Sequence, residues 1–173
     1  MIRFGTVDKA DKLTIELVPA ATDDVRSLIR ALDQELAQEY TSEQRHGLTL
    51  DAIFQSHVRF FLARLDEEPV GCGGVAFFAD FAEVKRMFVR STVRGRGVAR
   101  ELLTRIETEA RHAGLTVLRL ETGSRQAAAL RLYERAGFQI CEAFGVYKTM
   151  APEAIATSVF MEKRLSTPPP DAR

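Results

Sequence analysis

The sequence has no tryptophan, two cysteines, three histidines and a formal net charge of zero over its 173 residues. Cys72 and Cys141 stand far apart, with neither CxxC nor zinc-type spacing, which argues against a disulfide framework and suits reduced thiols. His46, His57 and His112 sit in unrelated segments, so no metal site is expected. No apolar run approaches membrane-spanning length, and the opening MIRFGTVDKADKL lacks the apolar core of a signal peptide. A cytoplasmic location with no membrane partner is the expectation. Lys+Arg and Asp+Glu balance at 24 each, so no global basic field exists to draw in nucleic acid. Any anion site must be local.

What is present is an ordinary globular composition, 46% hydrophobic and 28% charged, expected to form one α/β domain over 1–165 with a frayed tail over 166–173. LTIELV, Leu13 to Val18, reads as a strand. Thr22 then N-caps a helix with acids in its first turn and a stripe at Val25, Leu28, Ile29, Leu32 and Leu36. A short helix is expected at Asp51 to Phe54, and a hairpin pairs Arg59–Leu65 with Pro69–Phe78 across DEE. AEVKRMFV, Ala82 to Val89, is the next strand. Strict alternation sends Glu83, Lys85, Met87 and Val89 to one face and Val84, Arg86 and Phe88 to the other. Val98, Leu102, Leu103, Ile106 and Ala110 mark a helix ended by Gly114. After it come TVLRLET as a strand, RQAAALRLYERAG as a helix, and FQICE and SVFMEKRL as strands. The order β-α-(α)-β-β-β-α-β-α-β-β implies helices around a mixed sheet.

Between the strand at Ala82–Val89 and the following helix lies STVRGRG. A loop entering a helix N-terminus presents free N–H groups at the positive end of the dipole, an arrangement that binds phosphates. Gly95 and Gly97 let a ligand approach the backbone, and Arg94 and Arg96 can add forked hydrogen bonds. The alternative is a solvated basic turn. Neither G-x-x-x-x-G-K-[ST] nor G-x-G-x-x-G with its ribose-binding acid occurs. The strand before the loop carries Glu83, Lys85 and Arg86 close together, which suits the border of a cleft or a salt-bridged edge.

Arg94-Gly95-Arg96-Gly97-Val98-Ala99 matches the R/Q-x-x-G-x-G/A acetyl-CoA signature of the GNAT superfamily of N-acetyltransferases. Ala129, Leu132, Tyr133, Gly137 and Phe138 resemble the A-x-x-L-Y-x-x-x-G-F pattern of the same family, in order and correctly spaced. The resemblance is close from Ala82 to about Cys141. It implies the GNAT fold, with a mixed, mostly antiparallel central sheet flanked by helices, and acetyl-CoA as cosubstrate without a metal. By it, Arg94, Gly95, Arg96, Gly97, Val98 and Ala99 would cradle the pyrophosphate, with Arg100 nearby. Met87, Phe88 and Val89 would pair with the pantetheine arm like an added strand, and the N–H of Val89 would polarise the acetyl carbonyl. Gln126 stands where the family usually has Asn, and Ala129 belongs to the same wall.

The resemblance places Tyr133 as the group that protonates the departing thiolate and Glu83 as the base for the incoming amine. For Tyr133 the bland reading is a packing aromatic. For Glu83 it is an ion pair with Lys85 or a neighbouring strand. Glu121 takes no assigned role. Acceptor specificity falls to Gln38–Ser56 and the long Ala143–Ala156 connection, and neither names a substrate. The acceptor is expected to be an amine of a small molecule, a peptide or a protein. A CoA-binding regulatory module without catalysis is the alternative, for which Glu83 and Tyr133 would be dispensable. Exposed strand edges near the C-terminus leave room for a homodimer.

Overall fold

Thr22 opens the first helix as its pattern requires. Its hydroxyl accepts from the Val25 N–H at 3.3 Å, and Asp23 and Asp24 occupy the first turn. The computed structural model describes residues 11–166; the expected tail lies beyond them except for Ser166. Strand β1 (Leu13–Leu17) leads into helix α1 (Asp23–Ala37), followed by the strands β2 (Val58–Leu65), β3 (Glu68–Phe77) and β4 (Ala82–Val89). Helix α2 (Val98–His112), strand β5 (Val117–Gly123), helix α3 (Ala127–Arg135) and the short strand β6 (Gln139–Ile140) come next. The short helix α4 (Pro152–Ile155) and strand β7 (Ser158–Arg164) complete the series. The strands form one sheet in the order β1-β2-β3-β4-β5-β7-β6. All neighbours are antiparallel except β4 with β5, which run parallel. This is the mixed sheet flanked by helices that the element order predicts, mostly antiparallel as the resemblance implies.

The amphipathic stripes decide which helix covers which face. Helix α2 buries Val98, Leu102, Leu103, Ile106 and Ala110 against Phe61, Val75, Val84 and Leu118. Helix α1 buries Val25, Leu28, Ile29 and Leu32 on the opposite face, against Phe60, Leu62 and Phe88. Full burial of each large aliphatic side chain stabilises the fold by about 1.5–3 kcal/mol. The expected hairpin forms with Asp66 and Glu67 both at positive φ (48° and 73°), as a tight two-residue connection requires.

Three expectations change. The Asp51–Phe54 helix is a single 3₁₀ turn at Ala52–Phe54, and the FQICE strand shrinks to Gln139–Ile140, which pairs only with β7 at the sheet edge. The long Ala143–Ala156 connection has structure of its own. A 3₁₀ turn over Gly145–Thr149 and helix α4 gather there because Phe144, Tyr147 and Phe160 bury one another in a cluster of their own. The third change is in β4, where strict alternation fails. Cys72 pairs with Phe88 and Gly74 with Lys85, so Gly73 alone stands opposite both Arg86 and Met87. That two-against-one count is a β-bulge, and Arg86 takes φ 56° to make it. Arg86 consequently joins Glu83 and Lys85 on the α1 side of the sheet, while Met87 packs with Val84 and Val89 in the α2 cluster. Gly73 leaves room for Met87 at this point, because a Cβ there would overlap its sulfur where it now lies.

Candidate active site

Strands β4 and β5 pair only at Ala82–Leu118 and Glu83–Arg119 and then diverge. The gap that opens has β4 from Lys85 onward as one wall, Glu121–Gly123 as the other, and Gln126, Ala129 and Tyr133 of the α3 segment across it. Two cavities meet here, sharing Leu32, Met87, Gln126, Ala129 and Tyr133. The end of α1 is fastened across the gap. The Arg125 N–H donates to the Tyr40 hydroxyl at 2.8 Å, the Arg125 guanidinium bonds the Glu39 carbonyl, and Tyr40 occupies the space a Cβ on Gly123 would fill.

The larger cavity, about 690 Å³, runs along the glycine turn. Gly95 and Gly97 hold φ near +82° and +83°, which side-chain-bearing residues rarely adopt. A Cβ at Gly95 would meet no atom within 4 Å, and one at Gly97 only the Arg100 guanidinium at 4.0 Å, so the turn faces open space. Gly97 caps α2 without a side chain, leaving the first amides of the helix available to an outside acceptor. The groove contains Arg94, Arg100, Arg125, Arg131 and Arg135 against the single acid Glu35, a local cationic field in a chain of zero net charge. The predicted cradle residues Gly95, Gly97, Val98, Ala99 and Arg100 all lie along it, with Met87, Phe88 and Val89 on its β4 side. Arg94 is there too, but its guanidinium is held by the Val89 carbonyl (2.9 Å) and by Glu35 (2.7 and 2.9 Å). Arg96 pairs with Asp11 and does not line the groove. Arg125, Arg131 and Arg135 were not singled out from the sequence. The Arg131–Arg135 spacing on one face of a helix was the available signal.

Backbone direction at Val89 follows from the ladder. The Arg90 N–H donates to Val70 on β3 at 2.8 Å, so alternation turns the Val89 N–H to the other edge, into the gap. That edge carries no β5 partner at this height.

The smaller cavity, about 120 Å³, lies under α1 and the Gln44–Gly47 loop. Glu83 is 3% exposed and is part of a closed triangle. The Tyr147 hydroxyl donates to Glu83 Oε1 at 2.6 Å, Lys85 Nζ lies 2.7 Å from the same oxygen, and Lys85 also donates to the Tyr147 hydroxyl at 2.9 Å. The ion pair weighed for Glu83 is therefore present, and it sits in the wall of a cavity. Burial raises the Tyr147 hydroxyl well above the usual phenol range, and the Glu83 charge adds to it. His46 packs edge-on to Tyr147 and bonds the Ala154 carbonyl at 2.8 Å, tying the loop to α4. On the facing wall Glu121 is raised above the usual carboxyl range, mainly by burial, with the Glu83 charge adding to the rise. Tyr147, Tyr40 and Arg86 as site residues escaped the sequence reading. Tyr147 reaches Glu83 across 64 residues of chain, and only its place in the long connection pointed toward it.

Tyr133 stands at the junction of both cavities, 6% exposed, with its ring edge-on to Phe138 at 5.7 Å. Its hydroxyl makes no hydrogen bond among the described residues, and burial pushes its pKa well above the usual phenol range, with the Glu121 charge contributing. It remains an O–H donor across the physiological range. No group of three or more His, Cys, Asp or Glu among the described residues could hold a metal, and no described helix is long and apolar enough to cross a membrane.

The chain matches the model of the Acetyltransferase (GNAT) family over residues 23–138. It is 43% identical over 155 residues to an IAA acetyltransferase of Azospirillum brasilense, covering 88% of this chain and 98% of that protein. A structure from Klebsiella pneumoniae, assigned to the acyl-CoA N-acyltransferases, superposes with a TM-score of 0.72 at 33% identity, covering 89% of this chain and 98% of the other. A GNAT family acetyltransferase of Elizabethkingia anophelis with acetyl-CoA bound shares the fold at a TM-score of 0.61 and 20% identity, covering 88% and 98% of the two chains.

Proposed function

Because the chain belongs to the GNAT family of acetyltransferases, we propose that it moves an acetyl group from acetyl-CoA directly to a primary amine. The observation that carries this reading is the meeting of two cavities at Tyr133. One is a cationic groove with an open glycine turn, and the other is a small chamber holding two carboxylates. The groove fits a pyrophosphate: free amides at the start of α2, no Cβ in the way at Gly95 or Gly97, and five arginines around it. Gly95, Gly97, Val98, Ala99 and Arg100 hold the phosphates through their backbone. Arg94 braces the turn against α1 and the Val89 carbonyl rather than reaching outward. Arg96, turned to Asp11, leaves the cradle. The open edge of β4 at Met87–Val89 takes the pantetheine amides as an added strand, and the Val89 N–H donates to the acetyl oxygen as negative charge develops there. Gln126 and Ala129 form the opposite wall.

The amine must be neutral to attack. Glu83 accepts its proton, with Tyr147 and Lys85 holding the carboxylate in place. Tyr133 donates its O–H to the sulfur as the thiolate departs. A thiol is ordinarily a stronger acid than a phenol, with pKa about 8.5 against about 10, and burial widens that gap. Tyr133 therefore stabilises the thiolate by hydrogen bonding; the ammonium's first proton goes to Glu83, and the second, lost by the nitrogen after attack, ends on sulfur.

A module that only senses CoA needs the groove but not a chamber containing Glu83 and Glu121. The deciding experiment measures free thiol released from acetyl-CoA in the presence of a panel of small amines and peptides. Amine-dependent release with an N-acetylated product is expected. CoA binding with no amine-dependent release by any acceptor would make this a CoA-binding module.

A further inference from the structure

We infer that Arg86 is the specificity-determining residue of the acceptor chamber, and that the acceptor is a small amino acid with a free carboxylate beside its amine. The inference rests on the acyl-transfer reading above and narrows it.

Arg86 is an unusual residue to find in this position. It adopts φ 56° at the bulge, a conformation that persists in a branched or bulky side chain only where surroundings impose it, and such residues cluster at ligand sites. Its side chain is 6% exposed. A guanidinium this deeply buried requires compensation. Among the described residues it has a single side-chain hydrogen bond, from Nη2 to Asp33 Oδ1 at 2.7 Å, and the Asp33 side chain is 49% exposed. Nε is buried with no partner among the described residues. The guanidinium lies against Gly47, where any Cβ would overlap Nη1, so the loop above it is cut to the shape of this side chain. Asp33 fixes one edge of the fork and leaves the rest of it unmatched.

The chamber is polar in a directed way. Arg86 is bound to Asp33 of α1 and Arg45 belongs to the loop, while Glu83 with its partners Lys85 and Tyr147, the His46 ring against Tyr147, and Glu121 form the other group. A molecule carrying an anionic and an amino group within a few bonds of each other complements both ends. Its carboxylate would meet the guanidinium, which suits planar oxygen pairs, and its amine would meet Glu83 beside the Tyr133 wall. A chamber of about 120 Å³ has room for a short amino acid.

The test uses the intact chain with acetyl-CoA and matched acceptors: glycine, L-alanine, L-serine and β-alanine, each against its methyl ester and its amide. Hydrogen bonds to a charged partner predict a preference in kcat/KM for the free acids of roughly 10- to 100-fold. The esters have the less basic amine, so intrinsic reactivity works against this preference and the comparison is conservative. Arg86→Gln should raise KM for the free acids by the same factor and abolish the discrimination, with CoA affinity by calorimetry serving as the check on folding. The wild-type comparison needs no variant, so it stands even if that substitution unfolds the chain. Equal use of acid, ester and amide overturns the inference while leaving acyl transfer intact. Thiol release with none of these but with amines lacking a carboxylate does the same. Binding of CoA without amine-dependent release by anything removes the acyl-transfer reading, and this inference with it.

Discussion

Replacing Tyr133 with Phe deletes one oxygen at the junction of the two cavities and little else. The ring is 6% exposed and packs edge-on against Phe138, contacts that Phe retains. The hydroxyl has no hydrogen-bond partner among the described residues, so its removal strands no internal donor or acceptor. Stability should change little, because the O–H opens onto the cavities. The cost falls on the reaction alone. A hydrogen bond to a charged group is worth about 1.5–3 kcal/mol, and each 1.36 kcal/mol is tenfold in rate, so kcat should fall by roughly 10- to 150-fold. KM for acetyl-CoA should change little, since the sulfur carries charge only as it leaves. The assay is thiol release at saturating acetyl-CoA with a verified acceptor, alongside a thermal melt. Equal turnover by the Phe variant refutes the role. A raised KM with kcat preserved would instead make Tyr133 a wall of the cosubstrate groove.

Gly97→Val forces a branched residue into φ +83° and should cost about 1–2 kcal/mol of stability, with at least a tenfold loss of CoA affinity by calorimetry. Gly114→Val, at φ +77° in open space at the far end of α2, carries the same backbone penalty and should bind CoA normally, which separates strain from site. Glu83→Gln should lower kcat/KM most at low pH, where the amine most needs its proton removed, and an unchanged pH profile would assign Glu83 to structure alone. Burial raises the Glu121 carboxyl, so the folded chain holds that proton more tightly than the unfolded chain. The stability this contributes is complete below the ordinary carboxyl range and lost as pH rises through the raised value. Glu121→Gln should therefore gain on the wild type in Tm as pH rises above the ordinary carboxyl range, by roughly 2–4 °C for each kcal/mol. A constant difference between the two melting curves would contradict it.

The parts of this site that were legible in the sequence are those dictated by local chemistry. Thr22 with Asp23 and Asp24 marks a helix start in any context, and the stripes on α1 and α2 assign each to a face of the sheet. Gly95 and Gly97 declare themselves because few other residues accept their φ values. What was not legible depends on contacts between distant segments. Arg94 and Arg96 look equivalent in RGRG, yet Glu35 and Asp11 claim them separately, and only the fold decides which carboxylate reaches which arginine. Tyr147 and Glu83 meet because three aromatics collapse the Ala143–Ala156 connection onto the sheet, an outcome of packing that no spacing along the chain encodes.

The bulge in β4 is the most consequential departure from the simple pattern, and its physical basis explains how one strand borders both cavities. A regular strand would have put Arg86 on the face of Val84, into the α2 cluster, where a guanidinium has no partner. One extra residue opposite Gly73 turns Arg86 to the α1 side with Glu83 and Lys85, and returns Met87 and Val89 to the apolar face. The same local twist accompanies the divergence from β5, whose pairing ends at Glu83. The proposed proton acceptor, the guanidinium and the N–H proposed to polarise the carbonyl thus lie in order along Glu83, Arg86 and Val89, on a strand held on its other edge by β3. Gly73 leaves room for the arrangement, since a side chain there would displace the Met87 sulfur. A glycine pair facing two successive cationic residues and an apolar one, as Gly73-Gly74 faces Lys85, Arg86 and Met87, is a pattern that further sequences can be searched for.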